Sequence, residues 1–275
     1  KAGKLAVLNV DDPHWQTMRQ ATQAPTVLYG LSPDAEVRAE EVRLHPQGSA
    51  FWLVSPQGRA PVQLRLPARS SPTAMSKSRT ALAAAAACLG SGVELEAVVQ
   101  GLESVQGVPG RLERVDEGQP FGVLVDYAHT PDSLANVLQA VRTFTARRLI
   151  VVFGCGGDRD RGKRPLMGAV AARLADHVVI TSDNPRSEDP LAICREVEAG
   201  VQEVRREGGG ATYQVLPDRR EAIQQAIALA REGDQVVIAG KGHETYQIFA
   251  DRTVPFDDRE EARRALRALR SEGRV

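Results

Sequence analysis

The sequence has only three cysteines, Cys88, Cys155 and Cys194, odd in number and far apart. That excludes a disulfide framework and offers no zinc-ligand spacing, so a reducing, cytoplasmic setting is the expectation. An excess of either charge is also missing. With 35 basic residues against 35 acidic ones, nothing invites nucleic acid or a membrane surface as a partner. Long apolar runs are absent as well. The longest, an alanine-rich stretch over 81–89, falls well short of the roughly 18 to 20 residues that a membrane span requires. There is no internal repeat, and no secretory pattern precedes the first apolar run. The chain opens on Lys1 and enters strand-like sequence at Leu5, as expected of a piece of a longer protein.

What is present is a balanced globular composition, 275 residues at 42% hydrophobic and 25% charged, long enough for two domains. The texture changes near Pro109-Gly110. Before it, apolar runs over 5–10, 26–29, 37–44, 50–54 and 62–66 predict strands, the last two joined by Ser55-Pro56-Gln57-Gly58, and the alternation implies a sheet with antiparallel parts. Helices are predicted over 74–89 and 94–102. After it, strands over 122–125, 149–153, 178–181, 212–216 and 235–239 alternate with helices over 131–144, 165–175, 190–206 and 219–231, with a last basic helix over 259–270. Strands separated by helices of this length imply an α/β, doubly wound, mainly parallel sheet covered on both faces.

In such a sheet, function gathers in the loops after the strands. Asp183-Asn184-Pro185-Arg186 follows one apolar run directly. Its amide and guanidinium, held close by a proline, suit a small zwitterion; an Asx-type turn with an exposed arginine is the plain alternative. Asp126-Tyr127-Ala128-His129 precedes Thr130-Pro131. Helix capping explains the last two residues but not the acid, phenol and imidazole before them. Gly157 to Lys163 fits the spacing of a phosphate loop, yet Arg164 follows where Ser or Thr would ligate magnesium, and the intervening aspartates repel phosphate. Arg159 or Arg161 could instead pair with a carboxylate. Finally, Gly240-Lys241-Gly242-His243-Glu244 exposes backbone and titratable groups at a strand end, where a carboxylate could receive an ammonium.

Together these loops, with Lys163-Arg164-Pro165-Leu166-Met167, resemble the carboxy-terminal domain of the Mur ligases, and most of all the members that add a diamino acid to the peptidoglycan stem peptide. Upstream, Val7-Leu8-Asn9-Val10-Asp11-Asp12-Pro13 and Tyr29-Gly30 are similar to the later half of that family's central ATPase domain. The resemblance implies a partial ATP-binding domain without its phosphate loop over 1–108, and over 109–275 a Rossmann-like domain binding the incoming amino acid. It implies a monomeric, ATP- and Mg2+-dependent ligase that joins meso-diaminopimelate to UDP-MurNAc-L-Ala-D-Glu through an acyl phosphate. Arg159, Asp183, Asn184, Pro185, Arg186, Gly240 and Glu244 would hold the diamino acid. Arg111, Asp126 and His129 would contact ATP. No metal ligand and no catalytic residue is expected within these residues, and without a phosphate loop the chain alone is expected to be inactive. Where the family has Gly-x-Phe-Asn and Asn-Ala-Leu-Ala, the segment from Leu66 to Ala83 departs from it, which puts adenine contact there in question. Lysine or ornithine as the added amino acid, or a non-catalytic amino-acid-binding module, are the alternatives.

Overall fold

The computed structural model describes residues 4–45, 48–64, 72–105 and 107–273. The end of the last strand expected in the first half, and the departure from the family pattern over 66–71, lie outside them. The chain divides into two compact units, Lys1–Gly107 and Val108–Val275. Among the described residues no helix is long and apolar enough to cross a membrane.

The first unit is a five-stranded sheet in the order β1 (Ala6–Asn9), β2 (Thr26–Gly30), β3 (Val37–His45), β4 (Gly48–Ser55), β5 (Gly58–Leu64). The first three strands run parallel and the last three form an antiparallel meander, so the expected antiparallel part is present. α2 (Pro72–Gly90) and α3 (Leu95–Ser104) supply Leu82, Ala85, Leu95 and Val98 to a core with Phe51, Leu53 and Val62. The β4–β5 turn also caps α3. Gln57 Oε1 accepts from the Leu95 N–H at 2.9 Å, and Gln57 Nε2 donates to the Val93 carbonyl at 3.2 Å. These bonds do for the helix start what Glu94, which makes no side-chain cap, does not. α1 (Trp15–Ala21) was not expected; none of its residues is buried, so it has no apolar stripe to be read.

In the second unit, β6 (Glu113–Arg114), β7 (Gly122–Asp126), β8 (Leu149–Phe153), β9 (His177–Ile180), β10 (Thr212–Val215) and β11 (Gln235–Ala239) form one sheet. Its order is β10-β9-β8-β11-β7-β6. β6 is antiparallel to β7 and the other pairs are parallel, so β11 is inserted between β7 and β8. β8 is buried throughout and faces two cores. Val151 and Phe153 pack with residues of α4 (Pro131–Arg142), α5 (Lys163–Leu174) and α6 (Pro190–Arg206), while Ile150 and Val152 pack with Ile223, Ile227 and Leu266 of α7 (Arg219–Leu229) and α8 (Asp258–Ser271). This is the doubly wound arrangement expected. Thr130 caps α4 in a reciprocal box with Ser133, as its place before Pro131 implied. The short hairpin of β12 (Tyr246–Ile248) and β13 (Thr253–Pro255) had no sequence signal, three-residue strands being too short to show a period.

Two buried charges brace the sheet. At the amino ends of β8 and β11, Asp234 accepts from the Arg148 guanidinium and from backbone N–H groups of Arg148 and Arg231. At the carboxyl ends, Arg219 is fully buried and bidentate to the equally buried Asp258, with both bonds at 2.7 Å. Its guanidinium also donates to the carbonyls of Ser182 and Ala239, the points where two of the candidate loops begin.

Candidate functional site

The loops that follow β8 and β9 are laced together. Gly157 N–H donates to the Asn184 carbonyl at 2.9 Å, and Arg186 Nη1 donates back to the Gly157 carbonyl at 2.9 Å. Asp158 accepts from the Ser187 hydroxyl at 2.6 Å, while its own N–H donates to Glu188. Beneath them Arg164, wholly buried, donates to Glu188, Glu196 and the Gly156 carbonyl. The position that defeated the phosphate-loop reading is therefore the keystone of an ion-pair network. Asp158 and Arg186 both sit at φ 53°, a left-handed conformation that non-glycine residues seldom adopt.

The loops touch so closely that one glycine is obligatory. A Cβ on Gly157 would lie 1.8 Å from the Pro185 carbonyl oxygen. Gly157→Ala is expected to destabilise the unit by on the order of 1–3 kcal/mol, read as a fall in the thermal midpoint. An unchanged midpoint would mean that the loops are not in contact.

The Arg164 network also sets an acid response. Hydrogen bonds from Arg164, and after them the Asp158 N–H, hold the Glu188 carboxyl down at about 2 against its ordinary 4.5. A depressed carboxyl lends stability that is full above its unfolded value and is lost as pH falls through the folded one. The urea midpoint should therefore fall on acidification from about 4.5 to about 2, and Glu188→Gln should flatten that slope.

Across the sheet edge, the loop after β11 brings Lys241 and Glu244 against Asp183 and Asn184. Lys241 Nζ lies 3.0 Å from Asn184 Oδ1, 3.1 Å from Glu244 Oε2 and 3.5 Å from Asp183 Oδ1. Asn184 Oδ1 also accepts from Ile248 N–H, and Asn184 Nδ2 donates to Glu244 Oε2 at 3.0 Å. Asn184 is thus buried and committed to the framework, rather than free to spread toward a ligand. Lys241, which reads in the sequence as an exposed lysine between glycines, is fully buried. Gly240, at φ 114°, passes beside the Asp183 carboxylate. Pro185 is buried, Arg186 half-buried and Arg159 exposed. Arg159 and Arg186 are neighbours nonetheless: a Cβ on Gly156 would lie 3.6 Å from Arg159 Cγ and 2.9 Å from Arg186 Nη1. The structure thus gathers all seven expected amino-acid residues at one end of the sheet. Arg161, the other arginine considered there, is paired with Glu196.

The loop after β7 carries a separate cluster. The Arg111 guanidinium stands 5.1 Å from the Tyr127 ring centroid, and the rings of His129 and His243 lie 4.7 and 5.2 Å from it. Tyr127 and His243, though noted among the polar groups of their loops, were not among the expected ATP contacts. Their signal was adjacency in sequence to Asp126 and Gly242. His129 Nδ1 lies 2.9 Å from the Tyr127 carbonyl, a contact that the Nδ1–H tautomer satisfies and that leaves Nε2 as the acceptor. Asp126 is buried, its oxygens accepting from the Leu112 and Ala128 N–H groups; its side chain shapes the loop rather than facing outward. Among the described residues no group of three or more His, Cys, Asp and Glu side chains could hold a metal ion. Ser182, Arg219 and Gln247 also line a cavity of about 400 Å3. Two arginines on its wall, Arg220 and Arg252, are already paired with Glu261 and Asp251.

This geometry has counterparts. Residues 110–242 match the family described as Mur ligase, glutamate ligase domain. The chain is 51% identical over 267 residues to UDP-N-acetylmuramoyl-L-alanyl-D-glutamate--2,6-diaminopimelate ligase of Geobacillus thermodenitrificans, covering 97% of this chain and 52% of that protein. It is 47% identical to the protein of the same name from Bacillus licheniformis, with the same shares covered. A solved structure of a ligase of that name is 37% identical, with a TM-score of 0.60 over 97% of this chain and 54% of the other. Folylpolyglutamate synthase of Mycobacterium tuberculosis, at 23% identity and a TM-score of 0.64 over 86% of this chain and 52% of that one, shares the fold. The chain spans about half the length of the curated relatives it matches. The sheet, its four site loops and these similarities agree: the chain carries the carboxy-terminal domain of a Mur ligase.

Proposed function

We propose that the chain is the later portion of an ATP-dependent ligase adding meso-diaminopimelate to UDP-MurNAc-L-Ala-D-Glu in peptidoglycan synthesis. Residues 109–275 would bind the diamino acid, and 1–108 would be part of the ATP-binding domain. The observation that carries this reading is a guanidinium and a carboxylate, Arg186 and Glu244, held by the buried Asn184 and its neighbours at one sheet edge. The distal centre of diaminopimelate presents a carboxylate and an ammonium, which these two groups complement and an apolar pocket would not. Arg159, beside Gly156, offers a second guanidinium, and Gly240 offers backbone. Lysine and ornithine lack the distal carboxylate and leave Arg186 unused.

In the reaction, ATP transfers its terminal phosphoryl group to the substrate carboxylate and leaves as ADP. The amine then attacks the acyl carbon, phosphate departs, and the amine loses a proton. The role of the amino-acid residues is to orient the nucleophile. Arg111, Tyr127 and His129 form a cationic, aromatic surface suited to a nucleotide, and Asp126 holds its loop in shape. Mg2+, which supplies charge neutralisation on the phosphates, would be held by residues other than those described.

Titration calorimetry on this chain should show tighter binding of meso-diaminopimelate than of L-lysine or ornithine. The chain alone should release no phosphate from MgATP. Preference for L-lysine would overturn the choice of amino acid, and magnesium-dependent phosphate release would overturn the reading of the missing loop. A non-catalytic amino-acid-binding module is the second reading, which the departure of the Leu66 to Ala83 sequence from the family pattern allows. A reading frame continuing upstream through a Gly-Lys-Ser or Gly-Lys-Thr loop would remove it.

A further inference from the structure

A lysine with no exposed surface must have its charge met by the protein. Lys241 meets three acceptors, Asn184 Oδ1, Glu244 Oε2 and Asp183 Oδ1, one for each ammonium proton. It comes from the loop after β11, whereas Asp183 and Asn184 come from the loop after β9, so the contact joins separate parts of the site. Two consequences follow. The first concerns orientation: with Oδ1 facing Lys241 Nζ and the Ile248 N–H, the Asn184 amide must turn Nδ2 to Glu244 Oε2. Glu244 Oε2 then holds two donors, and Oε1 has no partner among the described residues. The second concerns charge. One ammonium against the carboxylates of Asp183 and Glu244 leaves a single net negative charge beside Asn184, whose carbonyl accepts from the positive Arg186. Without Lys241 the same pocket would carry two.

We propose that Lys241 is a positioning and specificity-determining residue of the amino-acid site. It fixes the Asn184 amide, presents one oxygen of Glu244, and trims the carboxylate pair to the single negative charge that a zwitterionic end group matches. The ligand half of this proposal rests on the functional reading above; the positioning half does not.

The test uses Lys241→Met in the 275-residue chain. Hydrogen exchange of the Asn184 side-chain amide, followed by NMR, should quicken by tenfold or more, while backbone amides of β8 and β11 stay protected. By calorimetry, the affinity ratio of meso-diaminopimelate to L-lysine should fall by about tenfold, since the added negative charge favours the more cationic ligand. Adding Asp183→Asn restores the charge count and should restore the ratio. It also carries the test if Lys241→Met alone does not fold. Equal weakening of both ligands, with no rescue by Asp183→Asn, would make Lys241 structural only and overturn the specificity role. Unchanged Asn184 exchange would overturn the positioning role. A wild-type chain that binds neither amino acid would overturn the functional reading and the specificity role with it, leaving Asn184 exchange to decide the positioning role.

Discussion

Asp258→Ala is expected to cost the second unit about 3 to 5 kcal/mol, the loss typical when one partner of a buried ion pair is removed and the other charge is stranded. Arg219 and Asp258 have no exposed side-chain surface and share two bonds at 2.7 Å. For a unit of this size each kcal/mol moves the thermal midpoint by roughly 2–4 °C, so a fall of about 6 to 20 °C should be seen by calorimetric scanning. A loss below about 1 kcal/mol would mean that the pair is solvated and of the weak surface kind. Replacing both partners, as Arg219→Met with Asp258→Leu, should recover most of the loss, because well-packed apolar groups often do as well as a buried pair. It should not recover the site fully. Arg219 also donates to the carbonyls of Ser182 and Ala239, so amides of the loops after β9 and β11 should exchange faster in the double variant even when the midpoint is restored.

Arg186→Gly should separate stability from recognition. Arg186 holds φ 53°, a conformation that costs an ordinary residue about 1–2 kcal/mol and glycine very little. Removing the side chain also forfeits its bonds to the Gly157 and Asn184 carbonyls, together worth about the same amount. The midpoint should therefore stay within a few degrees of wild type. Affinity for meso-diaminopimelate should fall by roughly 2–5 kcal/mol, the cost of truncating one member of a desolvated charge pair, and that for L-lysine far less. Arg186→Ala should lose the same affinity while keeping the strained backbone, and so be less stable than the glycine variant. Equal losses for both amino acids would detach Arg186 from the distal carboxylate.

Long elements were legible in the sequence because burial imposes periodicity. β8, buried on both faces, reads as the unbroken run Leu149-Ile150-Val151-Val152-Phe153, and α6 begins at the Pro190 that marked it. α1 was not legible because nothing in it is buried, nor were β6, β12 and β13, two or three residues long. At the candidate site, the sequence shows which loops gather polar groups, since strand ends are marked by the switch from apolar to polar residues. It does not show which polar residues turn inward. Lys241, Arg164 and Arg219 look like ordinary surface cations, and their burial depends on partners such as Asn184, Glu188 and Asp258, which lie 57, 24 and 39 positions away. Asn184 reads as a ligand-facing amide for the same reason. Only the fold shows that both acceptor positions of Oδ1 and one N–H of Nδ2 are already engaged by the protein.

The insertion of β11 between β7 and β8 has a consequence for the order of events on the ribosome. β7 and β8 emerge long before β11, yet each pairs with it in parallel. Until residues 235–239 leave the exit tunnel, the sheet can pair only as two separate strips, β6–β7 and β8–β9–β10, with no strand between them. A stalled chain ending before Gln235 should therefore expose the flanks of both strips and draw chaperones. One long enough to free Ala239 and its following loop should close the sheet and assemble the Asn184–Lys241 contact together, because the last strand delivers both.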